Sequence, residues 1–433
     1  MEKDTQMKHA VYSLLVVDEK TGNVVFDKNS QIGLATASCL KVVTSATAFE
    51  LLGKDYRYKT DFAYSKNGDS VSIYIMPHGD PSFGSWRYVS TKEDAIYKNI
   101  TAALSKANIN SNSISSVNII DKGFSKRFFP EGWIWQDIAN YYGAGQGALN
   151  WRENQFDILF NTGKQDTKPQ VSKLLPAYAN ININIDELQT GEKNSGDNTY
   201  AYFDPTNNQQ ILVTGSVPAE EKIFSISTTY ADPVKYFSNF LQFYSKQNPD
   251  NTLNKAFANI NILNNLPTDN TVFFTYYSPS LDSLIYWFLK KSINLYGEAI
   301  LKTLAYEKKG FGATDQGVSI LQDFWQQNGI DKTALNIMDG SGLSPQNRVT
   351  TDVLVKVLQY AKQQPWFSSY YNSFPEYNGM KLKSGTIGGV KGFCGYHTSK
   401  DGHKYIVAFL VNGFNGPSAS VVTKMFEVLK ILK

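Results

Sequence analysis

The sequence predicts an α/β fold: an antiparallel sheet flanked by helices and interrupted by a large β-rich insertion. Three observations carry this. The chain opens with a hairpin followed by a helix. It closes with three strands and a helix. Between the two lies a long run of short strands and polar loops, then a helical stretch. One α/β unit built from both termini around an insertion accommodates all three.

The stretch "YSLLVVDEKTGNVVFDKNS" reads as two strands joined through Glu19-Lys20-Thr21-Gly22. In "TASCLKVVTSATAFELLGKDY", Leu40, Val43, Thr47 and Leu51 recur at helical spacing, Thr36 is an N-cap and Gly53 a stop. Ser38 then falls in the first helical turn. "VSIYIMPHGDPSFGS" is a strand entering a Gly79-Asp80-Pro81 turn. Residues 98–122 give a helix and then a strand, and "FFPEGWIWQDIANYYGAG" gives an aromatic loop or short helix. Residues 160–250 read as short strands separated by loops such as "TGEKNSGDN" and "DPTNNQQ". From "SPSLDSLIYWFLKKSINLYGEAILKTLAYEKKG" the chain is helical, and "SILQDFWQQNGI" and "TTDVLVKVLQYAKQQP" add amphipathic helices. Three strands around a Lys400-Asp401-Gly402 turn and a helix from Ser418 end it. The expected domains are 1–65 with 245–433, a first inserted region 66–160, and a β-rich inserted domain 161–244.

A chain of 433 residues has room for roughly two to three domains. Its net charge of +3 is small and argues against a nucleic-acid partner, which demands a clustered basic face. No apolar run reaches the about 18 residues that a transmembrane helix needs. The start, "MEKDTQMKHAVYSLLVV", shows no signal-peptide core, so the protein is cytosolic or its secretion signal is not part of this sequence. Cys39 and Cys394 read as two buried thiols rather than a bridge.

Chemistry enters with "ATASCLKVV". Ser38 and Lys41 stand i, i+3 on a helix and so face the same way. A serine hydroxyl is a weak nucleophile until its proton is taken, and a desolvated lysine can take it. The plain alternative is a helix-start serine and a surface lysine. This is the chain's one S-x-x-K. Serine acyl transfer of this type also needs an S-x-N and a K-[ST]-G. S-x-N occurs at Ser65, Ser116 and Ser292, and Ser292-Ile293-Asn294 has the best context, a junction in the helical region beyond the insertion. Of the two K-[ST]-G triplets, Lys20-Thr21-Gly22 lies in a hairpin turn. Lys383-Ser384-Gly385 starts a strand, followed by Thr386 and glycines that admit a ligand backbone.

In this order the motifs resemble the penicillin-binding protein 4 type D-alanyl-D-alanine carboxypeptidases, the S13 serine peptidases (class C low-molecular-mass penicillin-binding proteins). Gly79-Asp80-Pro81, "PEGWIWQD", "YYGAGQGALNWREN" and "DGSGLS" extend the resemblance over nearly the whole chain. The resemblance implies a β-lactamase/transpeptidase-like core. It implies Ser38 as acylated nucleophile, Lys41 as its base, Ser292 as proton relay to the leaving amine and Asn294 as a substrate-amide ligand. Lys383 and Ser384 would bind the terminal carboxylate, with Gly385 admitting the backbone. The N–H groups of Ser38 and Thr386 would form an oxyanion hole. Asp137, beside Tyr142, would meet the ammonium of a diaminopimelate side chain; the plain alternative for Asp137 is a helix N-cap. Departures are Thr36 where proline is common, Ile293 where Asp is common, Ser384 where Thr is common, and Gly388, which offers no polar side chain.

The implied activity is hydrolysis of D-Ala-D-Ala ends of peptidoglycan stem peptides, with D,D-endopeptidase action and acylation by β-lactams. No metal or organic cofactor is required. The implied place is the periplasm or cell envelope. A serine β-lactamase shares the motifs, but the insertion argues against it; a catalytically idle peptidoglycan-binding protein is the rival from another class. His397 and His403, flanking a turn, are expected as a surface pair, and His9 and His78 as isolated residues. No oligomeric state is specified.

Overall fold

The computed structural model describes residues 4–207, 210–247, 253–258 and 260–432. Part of the expected loop "DPTNNQQ", residues 208 and 209, lies outside them. Contacts divide the chain into two units. The first holds 1–56, 130–133 and 280–433; the second holds 57–129 and 134–279. The expected boundary at 65 cuts the strand Lys59–Asn67, and the one at 244 cuts the helix Pro233–Gln247. By contacts the chain divides at 56/57, 129/130, 133/134 and 279/280.

The first unit is built on a six-stranded antiparallel sheet. Its order is Glu376–Tyr377, Met380–Ile387, Val390–Thr398, Lys404–Asn412, Val11–Asp18, Val24–Lys28. The two ends of the chain meet where Val11–Asp18 pairs with Lys404–Asn412 over its full length. Met380, Leu382, Phe393, Val407 and Phe409 pack with Val421, Met425 and Phe426 of the C-terminal helix Ser418–Leu429. The helix Thr351–Lys362 contacts the Val11–Asp18 and Lys404–Asn412 strands. Beside it runs Lys41–Leu51, in which Lys41 through Phe49 are all buried. Polar side chains on it, Thr44, Ser45 and Thr47, are buried too, and Lys41 is the one ionisable group in that buried stretch.

The start of this helix departs from expectation. Ala37–Leu40 form a separate 3₁₀ turn that carries Ser38, and the α-helix starts at Lys41. The Thr36 side chain caps nothing; its carbonyl instead accepts from Cys39 N at 3.2 Å. Ala37 sits at φ 44°, a left-handed conformation that turns the chain sharply into the 3₁₀ segment.

The second unit holds a five-stranded sheet in the order Ile260–Leu263, Ile114–Ile120, Ser70–Pro77, Lys59–Asn67, Thr271–Tyr277. Smaller sheets are formed from strands between Gln155 and Thr229. The stretch read as strands and loops also contains the helix Pro233–Gln247. Tyr236, Phe237, Phe240 and Leu241 recur at helical spacing and are buried in an aromatic core around Trp151. Aromatics favour strands as side chains, which masked the period.

The histidine pair is also corrected. His397 lies opposite Tyr405, not His403, and is buried, with Nε2 2.8 Å from Leu432 O. His403 is exposed beside Asp401.

Candidate active site

The Ser38 turn is gripped by backbone on two sides. A Cβ on Gly342 would lie 1.9 Å from Ala37 O, and Gly342 itself has φ 85°. A Cβ on Gly385 would lie 2.5 Å from Thr36 O and 3.0 Å from Ser38 N. Only glycine permits such approach. The "DGSG" loop and the "KSG" strand therefore hold the serine turn from either side.

Lys41 is fully buried and reaches three oxygens. Its Nζ lies 2.8 Å from Ser38 Oγ, 2.6 Å from Asn294 Oδ1 and 2.6 Å from Ser341 O. Burial, and then the charge of Lys383, hold Lys41 well below the usual lysine value, against the pull of Asp339, Glu298 and Cys39. Two of its partners are carbonyl oxygens, which only accept. A neutral amine gives its two N–H groups to them and leaves its lone pair for the Ser38 hydroxyl proton. That is the arrangement of a general base.

The supporting shell comes from two elements. Asn294 is the first residue of the helix Asn294–Lys309. Four residues on, the buried Glu298 accepts from Gly340 N at 3.2 Å, and burial, then Asp339, push its carboxyl up to about 8. Asp339 is buried and accepts from Gly342 N, Ser344 N, Asn347 Nδ2 and Trp133 Nε1 at 2.7–2.9 Å. This knot aims the Ser341 carbonyl at Lys41. Gly340 and Gly297 touch backbone to backbone, which brings loop and helix together.

Lys383 is buried on the strand Met380–Ile387, its Nζ 2.7 Å from Ser384 O, and burial holds it down at about 8. Alternation places Lys383 and Gly385 toward the serine turn and Ser384 and Thr386 on the opposite face. Ser384 Oγ there lies 3.0 Å from Tyr377 OH, and Thr386 is exposed. Cys39 Sγ lies 3.5 Å from Lys383 O, and both cysteines are buried free thiols.

The D-Ala-D-Ala carboxypeptidase 3 (S13) family profile matches residues 1–376. The chain belongs to that family. It is thereby placed among the serine-type D-alanyl-D-alanine carboxypeptidases. A D-alanyl-D-alanine carboxypeptidase of an Actinomadura species is 25% identical over 468 residues, covering 98% of this chain and 82% of the relative. Penicillin binding protein 4 from Haemophilus influenzae has a similar fold, with TM-score 0.79, 19% identity, and coverage of 95% of this chain and 93% of that one. Its complex with a novel β-lactam aligns with TM-score 0.72 and 18% identity over 97% and 95% of the two chains.

Against these S13 positions, the structure brings Ser38, Lys41 and Asn294 together and places Gly385 against the serine turn. Ser292 lies between the helices Leu281–Lys290 and Asn294–Lys309 at φ 59°. Asp137 and Tyr142 belong to the second unit. Asp137 is in the short helix Trp135–Ile138, whose N-cap is Ile134, so it is not the cap. Burial raises its carboxyl, opposed by a hydrogen bond from Tyr142, whose own phenol is pushed up by burial and by Asp137. Glu298, Tyr377 and Lys391 went unnoticed in the sequence. For Glu298 a signal existed: a carboxyl one helical turn from Asn294 on a largely buried helix. Among the described residues no group of three or more His, Cys, Asp or Glu is placed to hold a metal ion.

Proposed function

We propose that this S13 carboxypeptidase works through a Ser38 acyl-enzyme, with neutral Lys41 as the base. The carrying observation is the set of three Lys41 contacts, which leaves its lone pair for the Ser38 proton. Ser38 Oγ attacks the carbonyl carbon of the penultimate D-Ala. The C–N bond breaks, the terminal D-Ala leaves as an amine that regains the proton, and water then releases the acyl group. Asn294 holds Lys41 and the substrate amide, Ser292 relays the proton, and Lys383 with Ser384 draws the terminal carboxylate. The N–H groups of Ser38 and Thr386 receive the oxyanion, a contribution of about 3–4 kcal/mol per donor in related chemistry.

The substrates are stem peptides of peptidoglycan and, as acylating inhibitors, β-lactams; Asp137 and Tyr142 receive the ammonium of the peptide's side chain. D,D-endopeptidase action on cross-links and a periplasmic or envelope location complete the reading. The test is intact-protein mass after benzylpenicillin, for the parent and Ser38→Ala. One adduct that persists for minutes and is lost in the variant is the expected result. A folded parent without an adduct overturns the reading; rapid turnover of penicillin points to a β-lactamase.

A further inference from the structure

We propose that Lys391 is a second cation for the substrate's terminal carboxylate, acting with Thr386 over the open edge of the 380–387 strand. The inference rests on the acyl-serine reading above and adds a residue to it.

The edge comes first. The Glu376–Tyr377 strand pairs with Met380 and Lys381, and among the described residues 383–387 have no strand partner on that side. On the other side the same strand pairs with Val390–Thr398, and Lys391 stands directly opposite Thr386. Opposed residues share a face, so Lys391 lies on the face that carries Ser384 and Thr386. Its side chain crosses the strand spacing of about 4.8 Å and brings Nζ to 2.5 Å from Thr386 Oγ1. The ammonium thus lies on the face away from Gly385, at the end of the strand where the edge is open and could be reached by a bound peptide.

Its electrostatics ask for an anion. Lys391 is half-buried, with its ammonium on the Thr386 hydroxyl rather than on a carboxylate. Its ring contact is with Phe393, 5.9 Å from Nζ to centroid. Desolvation lowers its proton affinity, the Cys39 thiol raises it, and the charge of Lys391 is felt at Lys383. A lysine ammonium on a threonine hydroxyl at an open strand edge, paired with no carboxylate among the described residues, makes a site for a compact anion. Lys383 is buried, with its ammonium on Ser384 O. Lys391 ends instead at the exposed Thr386 hydroxyl. The matching chemical class is a free carboxylate one carbon from an acylated amide nitrogen, as at a D-amino-acid terminus or on a bicyclic β-lactam.

The test compares acylation of Ser38 by benzylpenicillin and by its methyl ester, followed by intact mass, in the parent and in Lys391→Met, Lys391→Gln and Lys391→Arg. A charge-assisted contact of about 1.5–3 kcal/mol corresponds to about 10- to 100-fold. The acid should lose that factor in Lys391→Met and Lys391→Gln, the ester should react as with the parent, and Lys391→Arg should recover most of the loss. The parent's preference for the acid should also shrink as salt rises. An unchanged acid-over-ester preference in either folded neutral variant overturns the role of Lys391. Failure of the parent to form any adduct overturns the acyl-serine reading instead.

Discussion

Lys41 Nζ stands 2.8 Å from Ser38 Oγ, with its other two contacts on carbonyl oxygens. On the proposed base role, the lysine's protonation state gates acylation. Lys41→Met keeps much of the buried stem and removes the base. Acylation by benzylpenicillin should fall by at least the about 10²–10⁴-fold typical of a general base, while the melting temperature should not fall. In the parent, the acylation rate should decline on the acid side as Lys41 takes up a proton, at a pH well below the usual lysine value. A rate that rises as pH drops would be the wrong sign for a lysine base.

The glycine grip on the serine turn gives a second expectation. Gly385→Ala places a methyl 2.5 Å from Thr36 O, so the strand or the turn must move. Overpacking of this kind costs about 1–3 kcal/mol, and the displaced oxygen is next to Ser38. Melting temperature and penicillin acylation should fall together. Gly388→Ala has open space around its Cβ and serves as the control, with neither changed.

What could be read from the sequence follows from how local each relation is. Ser38 and Lys41 are three residues apart, and their approach needs no knowledge of the fold. Lys383-Ser384-Gly385 was separable from Lys20-Thr21-Gly22 because one starts a strand and the other fills a hairpin turn. The Lys391–Thr386 pair depends on a hairpin register, and a shift of one residue would put Lys391 on the other face. The left-handed conformation of Ser292, at φ 59° between two helices, is a property of a junction that helical periodicity does not reveal. The helix Pro233–Gln247 was lost because its buried aromatics match strand composition as well as helical period.

Asp137 and Tyr142 make a claim about specificity rather than chemistry. Asp137→Asn removes the charge and keeps the shape. For a stem-peptide substrate with a free side-chain ammonium, kcat/KM should fall about 10-fold, a loss of about 1.4 kcal/mol. With the same peptide acetylated at that amine, parent and variant should match. Acylation by benzylpenicillin should not change. An equal loss on both peptides would assign Asp137 to the structure of its own unit.

Glu298 links the site to pH through stability. Its folded carboxyl titrates near 8, against 4.5 for an ordinary glutamate. Between those values the folded chain holds a proton that the unfolded chain has released. By linkage, stability is then lost as pH rises through this window. The cause is burial first, with Asp339 adding to it and Ser341, Gly340 N and Lys41 opposing. Glu298→Gln cannot ionise and keeps an oxygen for Gly340 N. Its melting temperature should decline less than the parent's between pH 5 and 8. Glu298→Ala leaves Gly340 N without this acceptor and should destabilise at both ends of the window. Parallel parent and glutamine curves would mean that Glu298 is ionised in the folded protein at pH 7.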